Sequence, residues 1–190
     1  LPAAGTRFAI GEEPADLSKA HNSLYLWRLV DEDDRDVAPG TPGEIAVRGP
    51  TLFSGYWRAP AVNAHEFRGG WFHMGDMFVE NAAGRLAFVD RSKYLIKSGG
   101  ENIYPAEIER ALLLDQRVAD VCVIGRRDDK WGEVPVAFVA KRDPALTAED
   151  IIAIVKETLA AFKKPKDVCF VEEEWFPRSA SGKIARKQVK

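Results

Sequence analysis

The stretch VDRSKYLIKSGGENIYPAEIE, residues 89–109, is where the chain changes character. Before it, short apolar runs are bounded by Gly, Pro, Asn and Asp, the pattern of strands and turns. After it, runs with helical spacing alternate with runs that read as buried strands. Inside it, Asp90, Arg91 and Lys93 precede the pair Gly99 and Gly100, and Pro105 stands where a helix can open. A proline in the first helical turn loses no needed hydrogen bond. Glu107 and Glu109 follow where the helix dipole favours negative charge. A boundary between a β half and an αβ half is therefore expected between residues 91 and 94.

Upstream, residues 24–30 and 44–48 flank an acidic, Pro- and Gly-rich stretch, 31–43, and read as a hairpin with a long loop. Residues 71–79 and 85–89 surround Asn81 to Gly84, a second hairpin with glycine where positive φ is cheap. Residues 1–22 show no period and read as irregular. Downstream, a helix is expected over 105–114 and strands over 118–125 and 134–140. Thr147 and Asp150 form the pattern of a capping box. Ile151, Ile154, Val155, Thr158, Leu159 and Phe162 follow it at helical spacing. Residues 168–171 read as a last short strand. The fold class is thus α+β. An antiparallel β-rich unit over residues 1–92 precedes a small α+β domain over 93–190, whose sheet of about three strands lies under two helices.

The chain has 190 residues, with 27 Lys and Arg against 29 Asp and Glu, a net charge of −2. That balance argues against a nucleic-acid binder. The basic stretches 156–166 and 183–190 are expected to be solvated faces, with Glu172, Glu173 and Glu174 between them. The apolar run 118–124 is broken by Asp120 and too short to span a bilayer. With no basic–apolar leader at its start, the chain is expected in the cytoplasm; its first residue, Leu1, fits a processed or partial chain. Cys122 and Cys169 lie in strand-like runs without CxxC spacing and read as small buried hydrophobes. His21, His65 and His73 lack ligand spacing, so no dedicated metal site is expected.

Three segments carry residue types suited to chemistry. In GGWFHMGD, residues 69–76, Asp76 follows a glycine inside an aromatic strand. It reads as a turn aspartate capping its own backbone, or as an acceptor for vicinal hydroxyls such as those of a ribose. In the boundary stretch, Gly99 and Gly100 are loop glycines required by sterics, or permit a ligand close to the backbone near a helix start. In FPRSASGKIAR, residues 176–186, Lys183 is a solvated charge, or a cation that swings from a Ser-Gly run onto a phosphate. No GxxxxGK[ST] loop is present.

Taken together and in this order, the segments closely resemble the signature segments of the adenylate-forming superfamily of acyl- and aryl-CoA synthetases, luciferases and peptide-synthetase adenylation domains. The resemblance runs from about Trp27 to Lys187, with GEIAVRGP at 43–50, GYW at 55–57 and WGE at 131–133 as further matches. It implies the C-terminal part of an AMP-forming acyl-CoA synthetase: Mg-ATP activates a carboxylic acid to an acyl-adenylate, and the acyl group passes to CoA. It further implies that Asp76 and Arg91 contact the nucleotide ribose, and that Lys183 is the catalytic lysine of the first half-reaction. Lys93 takes the hinge position of a mobile lid. Gly99 and Gly100 line the pantetheine tunnel, and Trp131, Phe162, Lys164 and Lys166 lie near the CoA nucleotide. Mg2+ arrives with ATP rather than at a site of this chain. Met74 stands where many relatives have Thr. The upstream phosphate loop and the body forming the acid pocket are absent from this sequence, so the chain is expected to be a fragment, inactive alone, of a synthetase that supplies an N-terminal body. Apolar surface left on the β unit invites a homo-oligomer. Loading of a carrier protein, and a non-enzymatic nucleotide-, CoA- or protein-binding module, are the competing implications.

Overall fold

The computed structural model describes Ser18, Lys19 and residues 24–189. The irregular reading of residues 1–22 therefore lies, apart from Ser18 and Lys19, outside the described residues, as does His21. The chain divides into two compact units, the first ending at Lys93 and the second beginning at Tyr94.

The first unit is a four-stranded antiparallel meander, β1 (Leu26–Val30), β2 (Gly43–Arg48), β3 (Phe72–Glu80) and β4 (Leu86–Arg91), each strand paired with the next. Ile45, Val47, Leu29, Phe78 and Leu86 form its core, with Trp27, Val37, Leu52, Phe72 and Met74 packed around them. The β3–β4 turn is held by Asn81, whose side-chain oxygen accepts the N–H groups of Ala83 and Arg85 at 3.0 Å each. Gly84 supplies the positive φ of 69° the turn requires. Lys19 bridges to Leu86 through both backbone groups. The unit also holds a short helix, α1 (Pro60–Glu66), that the sequence reading did not foresee. None of its residues is buried, so no apolar stripe announces it. Asn63 fastens it instead, bonding the backbone N–H and carbonyl of Tyr56 at 2.7 and 2.9 Å.

The second unit opens on a ribbon of two three-residue strands, β5 (Ile96–Ser98) and β6 (Glu101–Ile103). Then come α2 (Pro105–Leu113), the long strands β7 (Val118–Asp128) and β8 (Gly132–Lys141), α3 (Ala148–Thr158) and β9 (Asp167–Val171). The sheet runs β6-β5-β8-β7, and β9 lies parallel beside β8. The expected three strands are β7, β8 and β9, to which the ribbon adds two. Alternate residues of a strand point to opposite faces. Accordingly Val121, Val123, Ala137 and Val139 meet Ile108, Leu112, Ile151 and Val155 from the helices. Cys122, Val136, Phe138 and Ala140 emerge on the other face, where Phe176 and Val189 cover them. Trp175 stacks on Phe138 with ring centres 5.2 Å apart and planes 10° from parallel. The C-terminal segment is thus a second cover for the sheet.

The capping box of α3 is complete. Thr147 accepts the Asp150 N–H at 3.2 Å, and Asp150 accepts the Thr147 N–H at 3.0 Å. The helix ends at Thr158, earlier than the spacing through Phe162 suggests. Leu159 still reaches the core, but from extended backbone at φ −130°, and Phe162 falls in a separate 3-10 turn, exposed. Among the described residues no helix is long and apolar enough to cross a membrane.

Thr147→Ala removes one half of the box. It is expected to cost about 1 kcal/mol, read as roughly fivefold faster amide hydrogen exchange in the first turn of α3. Unchanged exchange there means that packing alone sets the start of this helix.

Candidate functional site

Asp76 and Arg91 face each other across β3 and β4. Their alignment depends on an irregularity. From Glu80 opposite Leu86 the ladder descends regularly to Phe78 opposite Phe88, then skips so that Met77 lies opposite Asp90 and Asp76 opposite Arg91. One extra residue on β4 shifts the register, and a shift of one exchanges the faces. Arg91 thereby comes to the side of Asp76, its Nε 2.8 Å from Oδ1. The N–H does not point along that contact, so the buried Oδ1 is left without a hydrogen bond. Burial pushes the Asp76 carboxyl above the usual range, and the nearby Arg91 charge offsets this only in part.

A second irregularity precedes Asp76. Between Glu44 and Ala46 of β2, β3 advances from Met77 to His73, so β3 carries two extra residues there. Gly75 lies in this bulge at φ 69°, a conformation that side chains rarely adopt. Its N–H donates to Glu44 Oε1 at 2.9 Å, and its carbonyl accepts the Ser92 hydroxyl at 3.3 Å. The second oxygen of Glu44 meets Arg68 Nη2 at 3.3 Å and lies 3.5 Å from Nδ1 of buried His73. Arg68 also binds Asp34, at 2.9 and 3.1 Å, and holds its carboxyl below the usual range. Glu44, Arg68, Asp34 and His73 form a polar frame around the Gly75–Asp76 bulge. The sequence reading quoted Glu44 and His73 within their segments but assigned this frame no role.

In the second unit Gly99, Gly100 and Trp131 come together where the β5–β6 turn meets the β7–β8 turn. Gly99 N–H donates to the Trp131 carbonyl at 2.8 Å. A Cβ on Gly99 would stand 2.6 Å from the indole ring, on backbone already at φ 60°. Glycine at 99 is therefore a packing requirement against Trp131, whereas Gly100, at φ 87°, faces open space. Trp131 keeps 44% of its surface exposed, with Lys130 Nζ 4.8 Å over its ring. Asp128 accepts the N–H groups of Lys130 and Trp131 at 3.0 Å each. These bonds hold its carboxyl low, with a smaller contribution from the charge of Lys166. Lys166 precedes β9, its N–H on the Pro135 carbonyl at 2.7 Å. Phe162 and Lys164 sit on and just after the exposed 3-10 turn at 161–163 and belong to neither grouping. Their neighbour Lys163 ties that turn to α2 by binding Glu107 at 2.7 Å.

Lys93 is exposed in the single turn Ser92–Tyr94. Lys183 lies in a small loop closed by an antiparallel bridge between Arg178 and Ile184. The Ser-Gly run that precedes it is tightly bonded. Gly182 N–H donates to the Ser179 carbonyl at 2.9 Å, and Ser179 donates to the Lys183 carbonyl through N–H at 2.8 Å and hydroxyl at 3.2 Å. The Lys183 backbone is fixed while its residue as a whole is exposed.

The chain is similar to known proteins over most of its length. Residues 107–183 match the AMP-binding enzyme C-terminal domain. A 2-succinylbenzoate–CoA ligase of Bacillus cereus is 44% identical over 92% of this chain, and a long-chain-fatty-acid–CoA ligase of Escherichia coli is 40% identical over 86%. The chain spans only 36% and 29% of those proteins, about a third of their length. The o-succinylbenzoate CoA synthetase of Bacillus subtilis, in complex with its acyl-adenylate intermediate, superposes with a TM-score of 0.80. It is 36% identical over 88% of this chain and 34% of its own. An anthranilate CoA ligase in complex with anthranoyl-AMP gives a TM-score of 0.77 at 30% identity, over 87% of this chain and 32% of its own. Over most of its length the chain is therefore similar to part of these CoA ligases. More particularly, its residues 107–183 match the C-terminal domain of AMP-binding enzymes.

Burial that raises a carboxyl pKa gives a definite sign for stability. The folded form then holds its proton more tightly than the unfolded, so stability falls as pH rises from the ordinary carboxylate range through the raised value. Asp76→Asn is expected to make the first unit more resistant to urea at pH 7, the difference closing as pH drops below that window. A variant less stable than the parent at pH 7 would show that the Arg91 pairing outweighs burial.

Proposed function

We propose that this chain is the C-terminal portion of an acid–thiol ligase that activates a carboxylic acid with Mg-ATP to an acyl-adenylate and passes the acyl group to CoA. The observation that carries this reading is the pairing of Asp76 and Arg91 at the bulged end of β3 and β4. There a carboxylate retains unused acceptor capacity beside a cation. Vicinal ribose hydroxyls fit such a carboxylate as donors, and Arg91 keeps it charged enough to accept. Relatives of this chain are solved with an acyl-adenylate or AMP in place, so a nucleotide site is the natural assignment.

Lys183 acts in the first half-reaction. Charge builds on the carboxylate and the α-phosphate as they react, and a cation on a fixed backbone stabilises it without much reorganisation. Its side chain, free of the main-chain bonds that hold the loop, can reach in for one step and be withdrawn for the next. Lys93 is the hinge of a lid comprising the second unit. Gly99 and Gly100 flank the path of the CoA arm, with Trp131, Phe162, Lys164 and Lys166 nearer its nucleotide. The acid, the triphosphate and Mg2+ are received by the rest of the enzyme, and its compartment is the cytoplasm.

In the complete synthetase, Lys183→Ala is expected to lower acid-dependent pyrophosphate exchange by about 10²- to 10³-fold. Thioester formation from supplied acyl-adenylate should change only a few-fold. Equal losses in both half-reactions would remove Lys183 from this role. The 190-residue chain alone is expected to show no exchange with fatty, short or aromatic acids; exchange that Lys183→Ala abolishes would mean that these residues suffice.

A further inference from the structure

The loop that carries Lys183 is fastened at both ends to the same part of the second unit. At its C-terminal end, Arg186 Nη2 donates to both carboxylate oxygens of Glu109, at 2.8 and 2.7 Å. These side chains are only 15% and 14% exposed. The guanidinium carbon stands 4.6 Å from the centre of the Tyr94 ring. Glu109, on α2, is itself fixed to the sheet, because its Oε1 accepts the Val123 N–H of β7 at 2.7 Å. At the N-terminal end, Arg178 Nη2 binds Asp120 of β7 at 2.6 Å while Nη1 donates to the Gly182 carbonyl at 3.1 Å. Asp120 and Glu109 thus hold the two ends of a loop whose middle is already closed by Ser179.

We propose that Glu109 and Arg186, with Asp120 and Arg178 as the outer pair, are positioning residues that set where Lys183 is presented. The inference rests on the reading of Lys183 as the adenylation lysine. Arg186 is three residues from Lys183 in sequence, so the ion pair limits how far the lysine backbone can drift to less than the ~10 Å span of three extended residues. Placement matters because a positioned charge loses about 10²-fold of its effect for a shift near 1 Å. Arginine suits the inner position, since its planar group meets a carboxylate and an aromatic face together, which an ammonium does less well. The outer pair is more exposed, 36% and 22%, and is expected to matter less.

Two measurements separate the anchor from the catalysis it serves. The first is tryptic cleavage after Lys183 in the 190-residue chain under native conditions. Losing a charge-assisted hydrogen bond should make the loop open, and be cut, about tenfold faster in Arg186→Gln and Glu109→Gln. Arg178→Gln should show a smaller effect, and cleavage after exposed Lys130 supplies the reference rate. An unchanged ratio of the two cuts overturns the anchor, whatever the enzyme does. The second is the half-reaction split in the complete synthetase. Arg186→Gln is expected to lower pyrophosphate exchange ~10- to 100-fold and to spare thioester formation from acyl-adenylate. Arg186→Lys should recover part of the loss. Combined with Lys183→Ala, Arg186→Gln should add almost nothing, because it acts only through that lysine. Equal losses in both half-reactions, or losses that multiply in the double variant, overturn the positioning role and leave Arg186 a structural residue. If Lys183→Ala leaves exchange intact while the cleavage ratio responds, the anchor is real but the adenylation reading is wrong.

Discussion

Both faces of the β7–β8 pair are apolar, and much of the second unit is a consequence of that constraint. Val134 to Ala140 is buried without interruption, so no residue in that stretch can face water. A strand that shows apolar side chains to both sides needs a layer on each. The helices α2 and α3 supply one. The other has to come from what remains of the chain, and residues 173–189 return across the sheet with Trp175, Phe176 and Val189 as the contacts. Burying a side chain such as Phe176 contributes roughly 1.5–3 kcal/mol, ample to hold a segment with little regular structure. Lys183 is suspended between two of these buried contacts, which is why a lysine near the end of a chain sits on a defined loop.

In the first unit the equivalent constraint is register. A plain hairpin continued from Glu80 and Leu86 would place Arg91 opposite Gly75, with its side chain on the wrong face for Asp76. The extra residue on β4 corrects the face, and the two extra residues on β3 re-aim Asp76. Such bulges leave backbone groups without ladder partners, and buried groups of that kind are costly. Glu44 answers this by accepting the Gly75 N–H. A half-buried glutamate gains from a counter-charge in turn, and Arg68 supplies it. The polar frame of Glu44, Arg68, Asp34 and His73 therefore goes with the bulge, and the bulge sets where Asp76 points.

Much of this fold was legible in the sequence because it rests on local rules. The Asn81–Gly84 turn, the Thr147–Asp150 box and Pro105 at a helix start each act over a few residues and left their mark there. Helix α1 left none, since it buries nothing and is tied down by Asn63 reaching back to Tyr56. The end of α3 was overestimated because apolar periodicity reports which residues meet the core, not the backbone by which they do so; Leu159 meets it from extended chain. For the site, Asp76, Arg91, Gly99, Gly100 and Lys183 could be singled out by residue type and resemblance. The partners that hold them, Glu44 for Gly75 and Glu109 for the Arg186 end of the lysine loop, are 31 and 77 residues away from the groups they bind. Spacings of that length carry no periodic signal, and only the folded chain joins them.

The two charged residues at the heart of the proposed chemistry are presented in opposite ways, and each suits its task. Asp76 is largely enclosed, paired and pushed toward its neutral form. A group so constrained loses little further freedom when a ligand arrives, and a donor hydroxyl that lowers its energy gains in return. Lys183 is exposed, with its order confined to the main chain. Its side chain keeps rotamer entropy worth up to about 2 kcal/mol, which is surrendered only when a negative group draws it in. A group needed throughout a reaction favours the first arrangement; one needed for a single step and then out of the way favours the second. The ion pairs at Glu109 and Asp120 make the second arrangement workable, because they hold the loop still while leaving the lysine side chain free to move.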